Sequence, residues 1–242
     1  MCSSDLLEFE WGLTGLGCDR HVLETLQSCL KSGERKVTVA VYRQKQIIAT
    51  WAGFRDHALG IAVDVGSTTI AVHLCDLSSG EILASSGMMN PQIRFGEDLM
   101  SRVSYVMMHP GGDKEMTQVV RAAIAQLAQE VCRQASYDTT DVLDATFVGN
   151  PVMHHLLLGI SPIELGGAPF ALTTDQALEL KANELNLDLH PGARAYVLPC
   201  IAGHVGADTA AVVLSEAPYL REEITLLVDV GTNAEIVLGN RH

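Results

Sequence analysis

The sequence predicts an α/β fold in which three consecutive strands are followed by alternating helices and strands, in the order β-β-β-α-β-α-β-α. A small α+β unit precedes it and the start of a further unit follows it. Three observations carry this expectation. Residues 60–85 fall into three short apolar runs separated by turn residues, residues 113–136 repeat apolar side chains at helical spacing, and the stretch beyond alternates short strands with helices.

Taken in order, residues 19–32 read as a helix. Asp19 stands where a cap is needed, Val22, Leu23, Leu26 and Leu30 share one face, and Gly33 ends the element. A hairpin follows: Val37, Val39 and Val41 alternate with polar or small residues, Arg43-Gln44-Lys45 turns the chain, and Ile47, Ile48 and Trp51 lie on the return strand. This small unit has few core residues.

From Gly60 the pattern becomes a meander, Gly60 to Val65, Thr69 to Cys75 and Glu81 to Ser85, with Leu77-Ser78-Ser79-Gly80 as its second turn. Asp113 is placed to cap a long helix through about Ser136, in which Met116, Val120, Ile124, Leu127 and Val131 share a face. A strand at 145–148 leads to a short helix that Pro151 opens and Gly159 closes. One helix is expected near 175–185 in a turn-rich stretch. A strand at 195–198, a helix from Ala207 to about Leu214 and a strand-turn-strand unit at 225–238 complete the chain. That order is the one found in ribonuclease-H-like half-domains.

Composition narrows the function classes. The chain has 242 residues, 16 Lys plus Arg against 29 Asp plus Glu and a formal net charge of −13, with no basic cluster. Nucleic acid and anionic membranes are therefore unexpected partners. At 48% hydrophobic and 19% charged the chain is globular. The N-terminus lacks the basic start and apolar run of a signal peptide, and no apolar stretch is long enough to span a membrane, so a cytoplasmic protein is expected. The six cysteines, Cys2, Cys18, Cys29, Cys75, Cys132 and Cys200, are scattered without a CxxC pair, which predicts reduced thiols and no zinc or iron-sulfur site in this chain.

The chemistry-bearing feature is a duplicated loop. Val63-Asp64-Val65-Gly66-Ser67-Thr68-Thr69 is echoed by Val228-Asp229-Val230-Gly231-Thr232-Asn233. Each copy puts an Asp at the end of an apolar strand and then Gly with small hydroxyl or amide residues. Gly lets backbone N–H groups approach an anion, the small side chains add donors, and the carboxylate suits a magnesium ion or its water shell. Two such loops facing one another suit the phosphates of one nucleotide, whereas either one alone is an ordinary hairpin turn.

This arrangement resembles the superfamily of acetate and sugar kinases, heat-shock chaperones and actin, in which two ribonuclease-H-like domains clamp ATP. The resemblance assigns Asp64, Gly66, Ser67, Thr68 and Thr69 to the first phosphate loop and Asp229, Gly231, Thr232 and Asn233 to the second. Gly206-Ala207-Asp208-Thr209-Ala210-Ala211 is similar to the helix at the hinge between the two domains. Within the superfamily, Asn90-Pro91-Gln92, Phe95-Gly96-Glu97-Asp98 with Ser101-Arg102, Gly149-Asn150-Pro151-Val152-Met153-His154-His155, Ala168-Pro169-Phe170, the run at 198–209 and the final hairpin resemble the reductive activators of corrinoid proteins. The resemblance covers about 60–242 strongly and 1–59 more loosely.

The resemblance implies an actin-like ATPase module that binds ATP and Mg2+, and an activity in which ATP drives reduction of cob(II)alamin to cob(I)alamin on a partner corrinoid protein. The electron donor would be a 2Fe-2S ferredoxin-like domain that these residues do not include. It divides the chain into a small α+β middle domain at 1–58, half-domain I at 59–222 and the start of half-domain II at 223–242. The chain is accordingly expected to be a fragment, lacking a cluster domain at one end and most of half-domain II at the other.

Asp64 and Asp229 are the expected ligands of magnesium, the alternative being that each caps its own turn. They are grouped with Asp208 as candidate catalytic residues. Asp208 suits orientation of an attacking water or closure of a hinge, against service as a helix cap. Glu235 is a candidate to face the cleft. His154 and His155 point about 100° apart on a helix and fit packing better than metal binding. Arg94, Arg102 and Asp98 are read as partner-surface or surface-pair residues, and Met88, Met89, Met107 and Met108 as core filling. A different ATPase or kinase of the superfamily, or a docking module that binds a corrinoid protein without turning over ATP, stand as alternatives. The electron donor and a homodimer are left open as partners.

Overall fold

The computed structural model describes residues 3–231 and 234–242. The first segment contains helix α1 (Ser3–Trp11), strand β1 (Gly17–Cys18), helix α2 (Arg20–Ser32) and the hairpin β2 (Val37–Tyr42) and β3 (Gln46–Ala52), forming a three-stranded sheet of order β1-β3-β2. Helix α2 starts after Asp19 as expected, but the Asp19 side chain does not cap it. That carboxylate instead takes Arg194 Nη2 on both oxygens at 3.0 Å and Gln46 Nε2 at 2.9 Å. A buried carboxylate with a guanidinium in reach gains more from the ion pair than from a helix N–H.

The period-two pattern from residue 59 folds as strands β4 (Leu59–Val65), β5 (Thr69–Asp76) and β6 (Ile82–Met89), continued by helices α3 (Leu99–Met108) and α4 (Gly112–Gln134), strand β7 (Val142–Gly149), helix α5 (Pro151–Leu158), strands β8 (Leu178–Lys181) and β9 (Arg194–Val197), and helix α6 (Ala207–Glu216). Six strands form one sheet of order β6-β5-β4-β7-β9-β8, antiparallel across β6-β5-β4, parallel across β4-β7-β9 and antiparallel again at β8. The last hairpin, β10 (Thr225–Val230) and β11 (Ala234–Gly239), is a separate two-stranded sheet.

The core lies between this sheet and α4. Leu59, Ile61, Val63 and Val65 are buried on one face of β4, and Met116, Val120, Ile124, Leu127 and Val131 are buried on the face of α4 that the helical period marks. Strand alternation therefore sends Asp64 to the opposite face.

Several local expectations differ from the fold. The segment near 175–185 forms strand β8 and a 3-10 turn at Ala182–Leu185 in place of a helix. Leu178 and Leu180 alternate with Glu179 and Lys181 and pack on the core from the sheet edge, so a period of two prevails over helix propensity. Helix α4 is capped by Gly111 at φ 88°, with Asp113 inside its first turn. Helix α3 had no expected counterpart, although Asp98 and Ser101 close a reciprocal cap at its start.

Candidate functional site

Asp64 ends the open face of β4, and the chain turns through Gly66 to Thr69 into β5. A Cβ on Gly66 would lie 2.5 Å from the Thr69 carbonyl oxygen, so only glycine fits this turn. The loop is held from behind. Asn90 Nδ2 donates to the Gly66 carbonyl at 2.8 Å, Arg102 Nη2 donates to the Ser67 carbonyl, and the Asn90 backbone N–H donates to the Thr68 carbonyl at 2.7 Å. Asn150 Nδ2 donates to Ser67 Oγ at 3.0 Å.

Both anchoring asparagines belong to Asn-Pro pairs. Asn90 precedes Pro91 and accepts the Gln92 N–H at 2.9 Å, while Asn150 precedes Pro151 and accepts the Met153 N–H at 3.0 Å, capping the 3-10 turn at Pro91–Phe95 and helix α5 respectively. Each side chain caps with its oxygen and reaches the loop with its nitrogen. Neither was singled out as a site residue from sequence, although the repeated Asn-Pro is the signal that marks them.

Helix α6 approaches the loop closely: a Cβ on Gly206 would sit 2.5 Å from Asn150 Cα and 2.6 Å from the Gly149 carbonyl oxygen. This contact brings Asp208, in the first turn of α6, beside the loop, and β10 brings Asp229. Together they enclose a cavity of about 500 Å³. Asp64, Gly66, Ser67, Thr68 and Thr69 line one side, Asp208 with Asn150 another, and Asp229, Gly231 and Glu235 the hairpin side. Eight of the ten residues expected at a site thus meet in one cavity. The other two, Thr232 and Asn233, lie outside the described residues.

The titratable groups lining the cavity are carboxylates. Burial, then the charges of Asp208 and Asp229, raise the Asp64 carboxyl to about 6. Asp208 is raised by burial, opposed by the Thr209 N–H that its Oδ1 accepts at 2.8 Å, and by Asp229. Glu235 is raised by burial and by Asp208 and Asp229. Such a set favours a proton, or a cation that offsets the repulsion. Among the described residues no three Asp, Glu, His or Cys side chains converge to form a metal cage by themselves.

Other candidates fall elsewhere. His155 is buried with Nδ1 donating to the Pro151 carbonyl at 2.8 Å and Nε2 accepting the Thr173 N–H at 3.2 Å, which fixes a neutral tautomer. His154 is buried as well, its pKa pulled to about 4 by burial and then by His155, so the pair packs in the interior. Burial pushes the Cys132 and Cys200 thiols up to about 11, far from reactive thiolates. Arg102 and three of the methionines depart from expectation. Arg102 is 0% exposed and anchors the loop, because its acceptors are interior carbonyls and not surface acids. Met89, Met107 and Met108 are exposed and do not fill the core, since they lie on the outer face of the edge strand β6 and at the end of α3.

The fold and cavity define an actin-like α/β half-domain with an acidic, loop-lined cleft. The chain belongs to the RACo family: the model described as the RACo middle region matches residues 59–218, and that described as the RACo linker region matches residues 4–57. "Middle" in this family therefore names the segment built around the six-stranded sheet. The chain is 36% identical over 181 residues to the corrinoid activation enzyme RamQ of Eubacterium limosum, covering 75% of this chain and 30% of RamQ. It superposes on the solved structure of a reductive activator for corrinoid, iron-sulfur protein with a TM-score of 0.87 at 30% identity, covering 97% of this chain and 38% of that one. The chain thus spans about a third of the length of both relatives. The α/β class expected from the sequence is the fold of that structure.

Proposed function

We propose that this chain is the nucleotide-binding part of an ATP-dependent reductive activator that returns a corrinoid protein from cob(II)alamin to cob(I)alamin. The observation that carries this reading is the convergence of both Asp-Gly loops and Asp208 on one cavity, in a chain related to a corrinoid activation enzyme and to a reductive activator.

The residues present fit Mg-ATP. Mg2+ keeps most of its waters and takes one or two carboxylates plus phosphate oxygens, so Asp64 and Asp229 suffice where a protein-only cage does not form. ATP supplies the free energy that a low-potential cobalt reduction requires. Glycine turns at 66 and 231 let backbone N–H groups approach phosphate, and the Ser67 hydroxyl, whose oxygen accepts from Asn150, keeps its proton to donate outward. Thr68, Thr69, Thr232 and Asn233 serve as further phosphate donors. Asp208, its carboxyl raised by burial, orients the water for hydrolysis. Nucleotide state acts on the partner only through a difference in affinity between two conformations.

Residues 1–58, 59–222 and 223–242 are read as separate units: a small α+β domain, half-domain I and the opening of half-domain II. The 2Fe-2S cluster is assigned to another domain of the whole protein, with a corrinoid protein as partner and the cytoplasm as compartment. Among the described residues no helix is long and apolar enough to cross a membrane. The deciding assay supplies the full-length protein, its corrinoid protein and a reductant, and follows the cob(I)alamin absorption band. Appearance of the band only with ATP is the expected result, and a band independent of ATP overturns the reading.

A further inference from the structure

The charged side chains lining the cavity are all acidic, yet the loop that opens it rests on a buried cation. Arg102 donates through Nε to the Gly96 carbonyl at 3.0 Å, through Nη1 to Met153 Sδ at 3.0 Å and Gln92 Oε1 at 3.3 Å, and through Nη2 to the Ser67 carbonyl. All of these acceptors are neutral. Asp98, the carboxylate whose field reaches the guanidinium, is itself bonded to Ser101, whose N–H lies at 2.7 Å and whose Oγ lies at 2.9 Å. A guanidinium buried without a bonded carboxylate is costly, and an anion bound nearby offsets that cost.

The backbone geometry says where the anion would sit. In a planar trans peptide the C=O and the following N–H point to opposite edges. Asn90 Nδ2 and Arg102 Nη2 hold the Gly66 and Ser67 carbonyls, so the N–H groups of Ser67 and Thr68 point to the opposite edge of the loop, whose residues line the cavity. Arg102 therefore lies one peptide unit behind the anion-facing edge. Burial lowers its pKa to about 10, which leaves it charged at neutral pH.

We propose that Arg102 is a positioning residue for polyphosphate: it holds the first loop in its anion-facing shape and supplies the positive charge that admits a polyphosphate to a cavity lined by four carboxylates. This rests on the reading of the cavity as a nucleotide site. The test measures binding of Mg-ATP, Mg-ADP and adenosine by calorimetry, with melting temperatures, for the full-length protein as wild type, Arg102→Gln and Arg102→Lys. Arg102→Gln is expected to weaken Mg-ATP about tenfold or more, Mg-ADP less and adenosine hardly at all, with Arg102→Lys within about threefold of wild type. Unchanged Mg-ATP binding in Arg102→Gln, an equal loss for adenosine, or a lysine variant as weak as the glutamine one overturns the proposal. If Arg102→Gln does not fold, Arg102→Lys decides, since equal losses for Mg-ATP and adenosine there mean a purely structural arginine. Wild type that binds none of the three ligands overturns the nucleotide reading itself, which is a distinct outcome.

Discussion

Asn150 and Ser67, 83 positions apart, are joined by a 3.0 Å hydrogen bond from the asparagine amide to the serine hydroxyl, while the same asparagine caps helix α5 through its oxygen. One side chain thus ties the end of β7 to the turn after β4. Asn150→Ala removes both bonds and is expected to cost about 1 kcal/mol of stability from the lost cap, with weaker Mg-ATP binding. Asn150→Ser keeps a capping oxygen but is too short to hold Ser67. It should recover most of the melting temperature and little of the affinity; recovery of both would sever Asn150 from the loop.

Asp229 lines the cavity from the hairpin, and the proposed function gives it the magnesium. Asp229→Ala in the full-length protein should abolish Mg-ATP hydrolysis with an unchanged circular dichroism spectrum and melting curve. Turnover at the wild-type rate would remove the two-loop clamp from the mechanism.

Asp144, half-buried on β7, titrates at about 6, raised by burial against the lowering effect of Arg43 and of the Thr146 hydrogen bond, with Glu179 adding to the rise. Its folded pKa lies above the unfolded value of 3.8, so the native state binds the proton more tightly. The resulting stability is present below the unfolded value and is lost as pH rises through about 6. Asp144→Asn should therefore flatten the fall in melting temperature between about pH 4 and pH 7 and melt higher than wild type at pH 7.5. An identical slope in wild type and variant would refute the assignment.

Asp19 and Arg194 form a buried ion pair between the first segment and the six-stranded sheet, with side chains 6% and 12% exposed. Removing one member strands the other charge, so Asp19→Ala should cost about 3 kcal/mol in denaturant unfolding. The double variant Asp19→Ala, Arg194→Leu should recover much of that loss. Simple additivity of the two single losses would show that the pair is uncoupled.

Strand β8 and helix α3 depend on context that the local sequence does not carry. Leu178 to Lys181 has residues compatible with a helix, but its alternation and the open edge of β9 make a strand the better state, and Ala182 to Leu185 follows as a 3-10 turn. Helix α3 carries a weak sequence signal because its cap uses Ser at the third position in place of Glu or Gln. Arg102 looked like a surface residue because charge pattern alone cannot report that a guanidinium has found interior carbonyls.

The three-strand opening, the face of α4 that meets the sheet and the two Asp-Gly motifs are legible in the residues alone, because they follow from periodicity and turn chemistry within a few positions. Long-range packing places Asp64, Asp208 and Asp229 in one cavity, sets two capping asparagines and a buried arginine behind the loop, and bonds Asp19 to Arg194 in preference to its own helix. Those partners are separated by tens to more than a hundred residues, and the forces that select them, burial and charge in a low-dielectric interior, act only once the chain has folded.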